Sequence, residues 1–265
     1  MEYSLFQYPF SWLTASFFAF PRILSILSVL PLFSRQALPG LLRVGVAFSI
    51  ALFLIPVIES ELAQVQRSGT ALFIIILKEV IVGFLIGFML AIPLWALEIM
   101  GVFIDNQRGA GIASSVNPLT GHDSSPLGDL FSHAVVVLLI INGGILSILA
   151  MIYDSYAIWP VFKLLPDLSA QTPLILLQLA DKLMLLAILL SAPVIFAMFL
   201  AEFGLGLVSR FVPQLQVFFL AMPVKSAIAF FILSVYAITL FRYMTSLLED
   251  MHTPVFEALS LILSK

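Results

Sequence analysis

The apolar run ALFIIILKEVIVGFLIGFMLAIPLWALEIMGVFI, residues 71–104, decides the fold of this chain. Only three charged residues interrupt it, namely Lys78, Glu79 and Glu98. A helix of about 20 apolar residues crosses a bilayer, whereas a membrane β-strand has about ten residues of alternating polarity. The run is too long and too uniformly apolar for a strand, so the sequence predicts a membrane helix. Pro93 lies inside the run and should kink or break that helix.

Further apolar segments lie on both sides of this run. They cover about residues 5–32, 41–56, 127–153, 174–208 and 213–241. The first is interrupted at Pro21 and Arg22. Residues 254–265 are predicted to form a short apolar helix with Thr253 as its candidate N-cap. The sequence therefore predicts an all-α, polytopic membrane protein with long, kinked helical hairpins.

The composition requires an apolar environment around much of the protein. Of the 265 residues, 62% are hydrophobic and 10% are charged, whereas a soluble domain carries about 25% charged residues. A soluble fold could not hide so many apolar side chains, because much of any folded surface faces water. The net charge is −3. Nothing therefore indicates nucleic-acid binding, which needs a basic stripe on the protein surface. The absence of cysteine excludes disulfides, thiolate catalysis and Cys-ligated metals.

Several charged residues lie within or beside the apolar runs and need polar surroundings. A charge at the bilayer centre costs about 2.5–3.5 kcal/mol, so we expect several of them to face protein, water or lipid headgroups. Lys78 and Glu79 are adjacent in a predicted helix, so we expect their side chains to point to different sides and not to neutralise each other. The set comprises Arg22, Lys78, Glu79, Glu98, Glu202, Arg210 and Lys225.

The longest polar stretch lies between the third and fourth apolar segments, at about residues 105–126. Loops longer than about 12–15 residues tend to be functional or disordered, and glycine, serine and asparagine give this one flexibility. One interpretation is a mobile segment that lines or plugs an aqueous passage. The other is a solvated connector in which Arg108 pairs with Asp105. The candidate plug residues are Asn106, Gln107, Arg108, Gly109, Gly111, Ser114, Ser115, Asn117 and Pro118.

A second candidate segment is the turn between the last two apolar segments, where residues 203–214 read FGLGLVSRFVPQ. It is either a partner-contact turn at the mouth of an assembly or a plain helical hairpin with its arginine among lipid headgroups. The candidate contact residues are Arg210, Pro213 and Gln214. Separately, Gly83 and Gly87 match the small-xxx-small pattern of closely packed membrane helices.

The sequence predicts no catalytic, cofactor or metal site. It contains no phosphate loop, nucleophile elbow or zinc-protease motif. The three histidines lie far apart without ligand spacing, at His122, His133 and His252. Four charged residues can be interpreted as a proton relay or as ordinary structural pairs: Glu98, Asp105, Glu202 and Lys225.

Several motifs follow one another in a familiar order. They are LLRVG (residues 41–45), KEVIVGFLIG (78–87), GVFIDNQRG (101–109), NGG (142–144), SY (155–156), WP (159–160), SRFVPQLQVF (209–218) and PVKS (223–226). In these motifs the chain resembles the FliR/SctT (SpaR/YscT-like) family, the export-gate subunit of bacterial type III secretion. The DNQRG form at residues 105–109 resembles the injectisome branch more than the flagellar branch.

The resemblance implies a single-copy subunit of an inner-membrane export gate, together with about five SctR-like and about four SctS-like subunits. It implies an SctR-like part at residues 1–170 and an SctS-like hairpin with a short C-terminal helix at residues 171–265. The polar stretch corresponds to the family's plug loop, and the turn at residues 210–214 lies where an SctU-like switch protein binds. Unfolded secreted proteins would pass through the gate, and no cofactor is implied.

Two other classes of function fit parts of the sequence. A small-molecule secondary transporter has broken helices with internal charges, but it would show an inverted repeat, and the segments here divide four to two. An intramembrane enzyme needs a tight cluster of His, Asp or Glu on facing helices, and the acidic residues are too scattered to provide one. The export-gate subunit is therefore the preferred interpretation, and the transporter is the alternative.

Overall fold

The computed structural model describes residues 7–33, 38–62, 69–110, 125–163, 172–212 and 217–249. The helices within these ranges are α1 Gln7–Val29, α2 Gly40–Leu52, α3 Ile55–Leu62, α4 Gly69–Arg108, α5 Pro126–Ile141, α6 Gly144–Ile158, α7 Thr172–Ser209 and α8 Val217–Glu249. A short 3-10 helix, Pro31–Phe33, follows α1. No strand occurs in the described ranges, and the all-α prediction is confirmed. The predicted helix at residues 254–265 and its N-cap Thr253 lie outside them.

Four helices in the described part of the chain are long and apolar enough to cross a membrane. They are α1, α4, α7 and α8, and the broken pair α5 and α6 can form one more span. The polytopic prediction is confirmed, but the predicted span at residues 41–56 is wrong. A turn at Phe53 and Leu54 divides that segment into α2 and α3. The 13 residues of α2 are about 20 Å long, short of the roughly 30 Å hydrocarbon core.

Four helices, α1, α4, α7 and α8, continue through an internal proline, at Pro21, Pro93, Pro193 and Pro223 respectively. The sequence predicted an interruption at Pro21 and a kink or break at Pro93, but α1 and α4 end at neither residue. Proline removes one backbone hydrogen bond, and other groups in a membrane protein can replace it. The 40 residues of α4 are about 60 Å long, twice the hydrocarbon thickness.

The first compact unit comprises residues 1–92, 143–179 and 250–265. Its described part contains α1, α2, α3, α6, the first part of α4 and the start of α7. Helix α1 lies against α2 and α3, and its inner face is fully buried at Ala15, Ala19, Ile23 and Ile26. The predicted close approach at Gly83 and Gly87 occurs within this unit, because the backbones of α1 and α4 meet there.

Replacing Gly83 by alanine is expected to destabilise this unit. A Cβ atom at Gly83 would clash with the Arg22 carbonyl oxygen, and backbone cannot move aside as a flexible side chain can. Overpacking of this kind costs about 1–3 kcal/mol. The measurement is thermal unfolding of the full chain in mild detergent. Gly45→Ala is the control, because no atom lies within 4 Å of a Cβ atom there. Equal melting temperatures for the two variants would contradict the expectation.

The second compact unit comprises residues 93–142 and 180–249. It contains the end of α4, then α5, most of α7, and α8, with α5 against α8. Gly101 of α4 closely approaches the backbone of Leu127, because a Cβ atom there would lie 2.6 Å from the Leu127 carbonyl oxygen. Both α7 and α8 carry many exposed large apolar side chains, among them Leu185, Ile188, Leu189, Phe196, Phe199, Phe219, Phe231, Val235 and Ile238. The predicted division at residue 170 rests on resemblance to other subunits and stays a prediction.

Candidate functional site

Asp105 lies in the last helical turn of α4 and is 2% exposed. Its carboxylate binds groups from both ends of the polar stretch. Oδ1 accepts a hydrogen bond from Arg108 Nε at 2.7 Å. Oδ2 accepts one from Ser125 Oγ at 2.7 Å and one from the Leu127 backbone N–H at 2.8 Å. This arrangement, the Asp105 clamp, ties together the two ends of residues 111–124.

The start of α5 is built to receive this carboxylate. Ser125 is the N-cap of α5, and its hydroxyl oxygen accepts from the Gly128 backbone N–H at 3.0 Å. Pro126 occupies the first helical position, where the missing N–H costs nothing. The first N–H groups of any helix lack partners within it, and the partial positive charge at a helix N-terminus favours an anion. Asp105 therefore binds a pre-formed helix terminus as well as a cation.

The clamp also contacts α8. The Arg108 guanidinium carbon lies 5.2 Å from the centre of the Phe230 ring, a distance at which a cation and an aromatic ring attract. Gly109 follows α4 with φ +84°, a backbone conformation that favours glycine. A Cβ atom on Gly109 would lie 3.4 Å from Met222 Cγ. The start of the polar stretch is thus held by α8 as well as by the carboxylate.

The structure places the nine candidate plug residues in two groups. Asn106, Gln107 and Arg108 belong to the last turn of α4, and Gly109 begins the segment that leaves it. Asn106 is exposed, whereas Gln107 and Arg108 are half-buried. The other five lie outside the described residues: Gly111, Ser114, Ser115, Asn117 and Pro118. The interpretation of this stretch as a solvated connector predicted an ion pair between Arg108 and Asp105. That pair is present, with Arg108 Nε 2.7 Å from Asp105 Oδ1.

The first unit contains a buried charge cluster that consists of Arg22, Lys78 and Glu79. Arg22 and Glu79 are 0% exposed and Lys78 is 9% exposed. Arg22 binds Glu79 through two parallel hydrogen bonds, Nε to Oε2 at 2.7 Å and Nη2 to Oε1 at 2.9 Å. Lys78 Nζ also pairs with Glu79 Oε1. The prediction that Lys78 and Glu79 do not neutralise each other is wrong, because the long lysine side chain reaches its neighbour's carboxylate.

Backbone carbonyls complete the cluster. Arg22 donates to the carbonyl oxygens of Ser155 at 2.8 Å and Trp159 at 2.9 Å. Lys78 Nζ donates to the carbonyl oxygen of Val161 at 2.6 Å. These carbonyls lie at the C-terminal end of α6 and just after it, where a helix leaves acceptors unpaired and carries partial negative charge. The end of α6 therefore helps one carboxylate to balance two cations.

Two aromatic residues enclose the same charges. The Tyr156 ring centre lies 4.1 Å from the Arg22 guanidinium carbon, and the Trp159 ring centre lies 5.6 Å from Lys78 Nζ. Trp159 Nε1 donates to the Lys163 carbonyl oxygen at 2.9 Å, which shapes the turn after α6. The cluster thus fastens α1, α4 and α6 together.

Three further charged residues, Glu98, Glu202 and Lys225, have partners within the second unit. Lys225 of α8 pairs with Glu202 of α7 at 3.1 Å, with 46% of the Glu202 side chain exposed. Ser132 Oγ donates to Glu98 Oε2 at 3.3 Å. These contacts fit the interpretation as structural pairs. Among the described residues, no group of His, Asp and Glu is arranged to hold a metal ion.

The turn after α7 is described only in part. Arg210 and Phe211 are exposed, and the Phe211 side chain is 86% exposed. Pro213 and Gln214 lie outside the described residues. An exposed cation next to an exposed aromatic ring is compatible with a partner contact and with a position among lipid headgroups.

The sequence indicated the roles of two residues, Ser125 and Arg22, only in part. Ser125, followed by Pro126, is a recognisable helix start, but nothing nearby indicated that its hydroxyl binds Asp105. Arg22 was recognised as a charge that needs a partner. Its partner Glu79 lies 57 positions further along the chain, and no spacing rule for a single helix reaches that far.

The spans and their internal ion pairs define the class of this chain, a multi-pass α-helical membrane protein. Residues 13–251 match the family described as bacterial export proteins, family 1. The chain belongs to this family, and the resemblance to FliR/SctT proteins is confirmed.

Relatives within the family come from two kinds of apparatus. The chain is 41% identical to Yop proteins translocation protein T of Yersinia pestis over 224 residues, which are 84% of this chain and 85% of the relative. It is 37% identical to secretion system apparatus protein SsaT of Salmonella typhimurium, over 81% of this chain and 83% of the relative. It is 30% identical to flagellar biosynthetic protein FliR of Bacillus subtilis, over 82% of this chain and 83% of the relative. The higher identities favour the injectisome branch over the flagellar branch.

Proposed function

We propose that this chain is an inner-membrane core subunit of a type III secretion export gate. It forms part of the channel for unfolded substrates and contributes a plug loop. The observation that carries the proposal is the 41% identity with a translocation protein over 84% of the chain.

The exposed apolar faces of the second unit support assembly with other subunits. Many exposed large apolar side chains on neighbouring helices indicate an interaction site or a membrane-facing surface. We propose that SctR-like and SctS-like subunits cover part of it and that lipid covers the rest. An SctU-like switch protein would bind at the turn that contains Arg210, Pro213 and Gln214, where an exposed arginine and phenylalanine are available.

The Asp105 clamp supports the assignment of the polar stretch at about residues 105–126 as a plug loop. A segment whose ends are tied together can move without unwinding α4 or α5, because its attachment points stay fixed. Displacement by an entering substrate would then cost little ordering free energy elsewhere. Asn106, Gln107, Arg108 and Gly109 would form the fixed base of the plug, and Gly111, Ser114, Ser115, Asn117 and Pro118 its moving part.

Native mass spectrometry tests the proposed assembly. The tagged chain would be co-expressed with the membrane proteins encoded beside it and purified in mild detergent. We expect one copy in a complex of many small hydrophobic subunits. A stable monomer or homodimer without partners would contradict the proposal and would favour a small-molecule secondary transporter.

Asp105→Asn is expected to loosen the base of the plug. An amide has only one acceptor oxygen and would point its NH₂ group toward a donor. At least one of the three hydrogen bonds that the Asp105 carboxylate accepts is therefore lost. The expected loss in the free energy of unfolding is about 1–3 kcal/mol. Hydrogen exchange at the Leu127 and Gly128 amides should become faster, and ion leakage through the complex should rise modestly. Asp129→Asn is the matched control, because Asp129 is exposed in the first turn of α5, the helix whose start binds Asp105. Equal exchange in the two variants would argue against the clamp.

A further inference from the structure

The chain makes a tight turn directly after α6. Pro160 follows Trp159, and a residue before proline is disfavoured in the helical conformation. Trp159 is accordingly extended, with φ −129° and ψ 90°. The Lys163 backbone N–H donates to the Pro160 carbonyl oxygen at 3.2 Å, which closes a β-turn, and Trp159 Nε1 donates to the Lys163 carbonyl oxygen at 2.9 Å. These two hydrogen bonds close residues 159–163, the α6 turn, on itself.

Three backbone carbonyls of the α6 turn meet at the ammonium group of Lys78 from α4. Its Nζ atom lies 2.6 Å from the Val161 carbonyl oxygen and 3.3 Å from those of Pro160 and Lys163. Carbonyl oxygens carry partial negative charge, so three that point at one place repel one another unless a cation lies between them. Converging backbone carbonyls hold cations in membrane channels for the same reason.

Two further groups contact this cation. The Glu79 carboxylate pairs with Lys78 Nζ. The Trp159 ring centre lies 5.6 Å from Nζ, within the range of a cation–π attraction. An ammonium group has three N–H donors and no acceptor, which suits a site of at least four oxygen atoms and one aromatic face. Helix α6 has no basic residue in its own last turn, so α4 supplies the charge.

We propose that the α6 turn and Glu79 form a binding site for a primary ammonium group, that Lys78 is its built-in occupant, and that the bound cation holds the turn in shape. Lys78 is then a positioning residue, because it fixes the direction in which the chain leaves α6. A compact ammonium group suits converging carbonyls better than a planar guanidinium does, since the guanidinium presents its donors in a rigid fork.

Lys78 and Arg22 have different tasks in this arrangement. Arg22 donates to the carbonyl oxygens of Ser155 and Trp159, at the end of the helix itself, and it binds Glu79 through two parallel hydrogen bonds. Without Lys78, one guanidinium still balances one carboxylate. We therefore expect removal of Lys78 to loosen the α6 turn and to leave α1, α4 and α6 together.

Hydrogen exchange, measured by mass spectrometry on the full chain in mild detergent, tests these separate tasks. Lys78→Met keeps an unbranched side chain but removes the charge. We expect exchange at residues 161–163 to become at least about tenfold faster, the effect of losing a charged hydrogen bond, while the melting temperature stays close to that of the wild type. Lys182→Met is the matched control, because Lys182 is exposed on α7.

Two results with Lys78→Met would overturn the proposal. The first is wild-type exchange at residues 161–163, because the turn would then hold its shape without the cation. The second is a lower melting temperature without faster exchange at the turn, because Lys78 would then only fasten helices together.

Chemical rescue separates the cation from the space that it fills. Lys78→Ala removes the side chain beyond Cβ, propylammonium replaces the lost atoms one for one, and alanine favours a helix. The Lys78 side chain is 9% exposed, so the site is reached from the protein surface. We expect propylammonium chloride to slow exchange at residues 161–163 of this variant at least about tenfold, and 1-propanol, which has the same length and no charge, to leave it unchanged.

The controls of the rescue decide between charge and volume. Slower exchange with both compounds would mean that filled space holds the turn. No slowing with either compound would mean that the turn does not bind an ammonium group. Each of these results would overturn the proposal.

Discussion

Replacing Glu79 by glutamine is expected to lower the free energy of unfolding by about 3–5 kcal/mol, the usual cost of removing one partner of a buried ion pair. Glu79 is 0% exposed and binds both Arg22 and Lys78. Glutamine has the same shape but carries no negative charge, so two buried cations would face each other without it. The carbonyls at the end of α6 are too weak an acceptor set to replace a carboxylate. We therefore expect loss of folded protein and disruption of the contacts among α1, α4 and α6.

Thermal unfolding and the yield of detergent-extracted full-length chain measure this effect. Glu202→Gln is the matched control, since it makes the same chemical change at a glutamate that also pairs with a lysine. The Glu202 side chain is 46% exposed, and an exposed pair contributes only about 0–1 kcal/mol. Equal melting temperatures for Glu79→Gln and Glu202→Gln would mean that contacts other than the Arg22–Lys78–Glu79 cluster hold α1 against α4 and α6.

Deletion of residues 109–121 is expected to raise ion leakage through the assembled complex strongly, and more than Asp105→Asn does. The deletion removes most of the proposed plug but keeps Asp105, Arg108 and Ser125. With α4 intact to Arg108, residues 122–124 would link Arg108 to Ser125, and the four Cα–Cα steps of this link span about 13 Å. The two helix ends are close together, because Asp105 Oδ2, one turn before the end of α4, lies 2.7 Å from Ser125 Oγ. The shortened chain can therefore close without disturbing α4 or α5, and assembly should be unchanged.

Conductance of the purified complex in planar bilayers measures the leak, and native mass spectrometry verifies assembly. The control replaces residues 109–121 by glycine and serine in the same number. A closed complex with this replacement would mean that bulk alone blocks the passage, whereas a leaking one would mean that specific side chains are needed. Wild-type conductance in the deletion variant would contradict the plug assignment. It would not contradict membership of an export gate, which the native mass spectrometry of the complex tests separately.

The sequence indicated most residues of the candidate site but not most of the contacts that they make. The sequence indicated the polar stretch and most of the charged residues that matter, because charge and glycine stand out in an apolar background. It also indicated the Arg108–Asp105 pair, which lies within one helical turn. It did not indicate that Asp105 binds the start of α5, and it gave the wrong relation between Lys78 and Glu79. Both failures concern side chains whose orientation depends on a second element.

The sequence by itself determined the all-α membrane class and the family. Long apolar runs must be helical in a bilayer, because a helix satisfies its own backbone hydrogen bonds, and this constraint is local. Only the tertiary structure showed that a turn at Phe53 and Leu54 divides α2 from α3 and that α1 continues past Pro21. It also paired Arg22 with Glu79 across 57 positions and Asp105 with Ser125 across 20. A buried charge is stable only beside its partner, and which residue becomes that partner is decided when the helices meet.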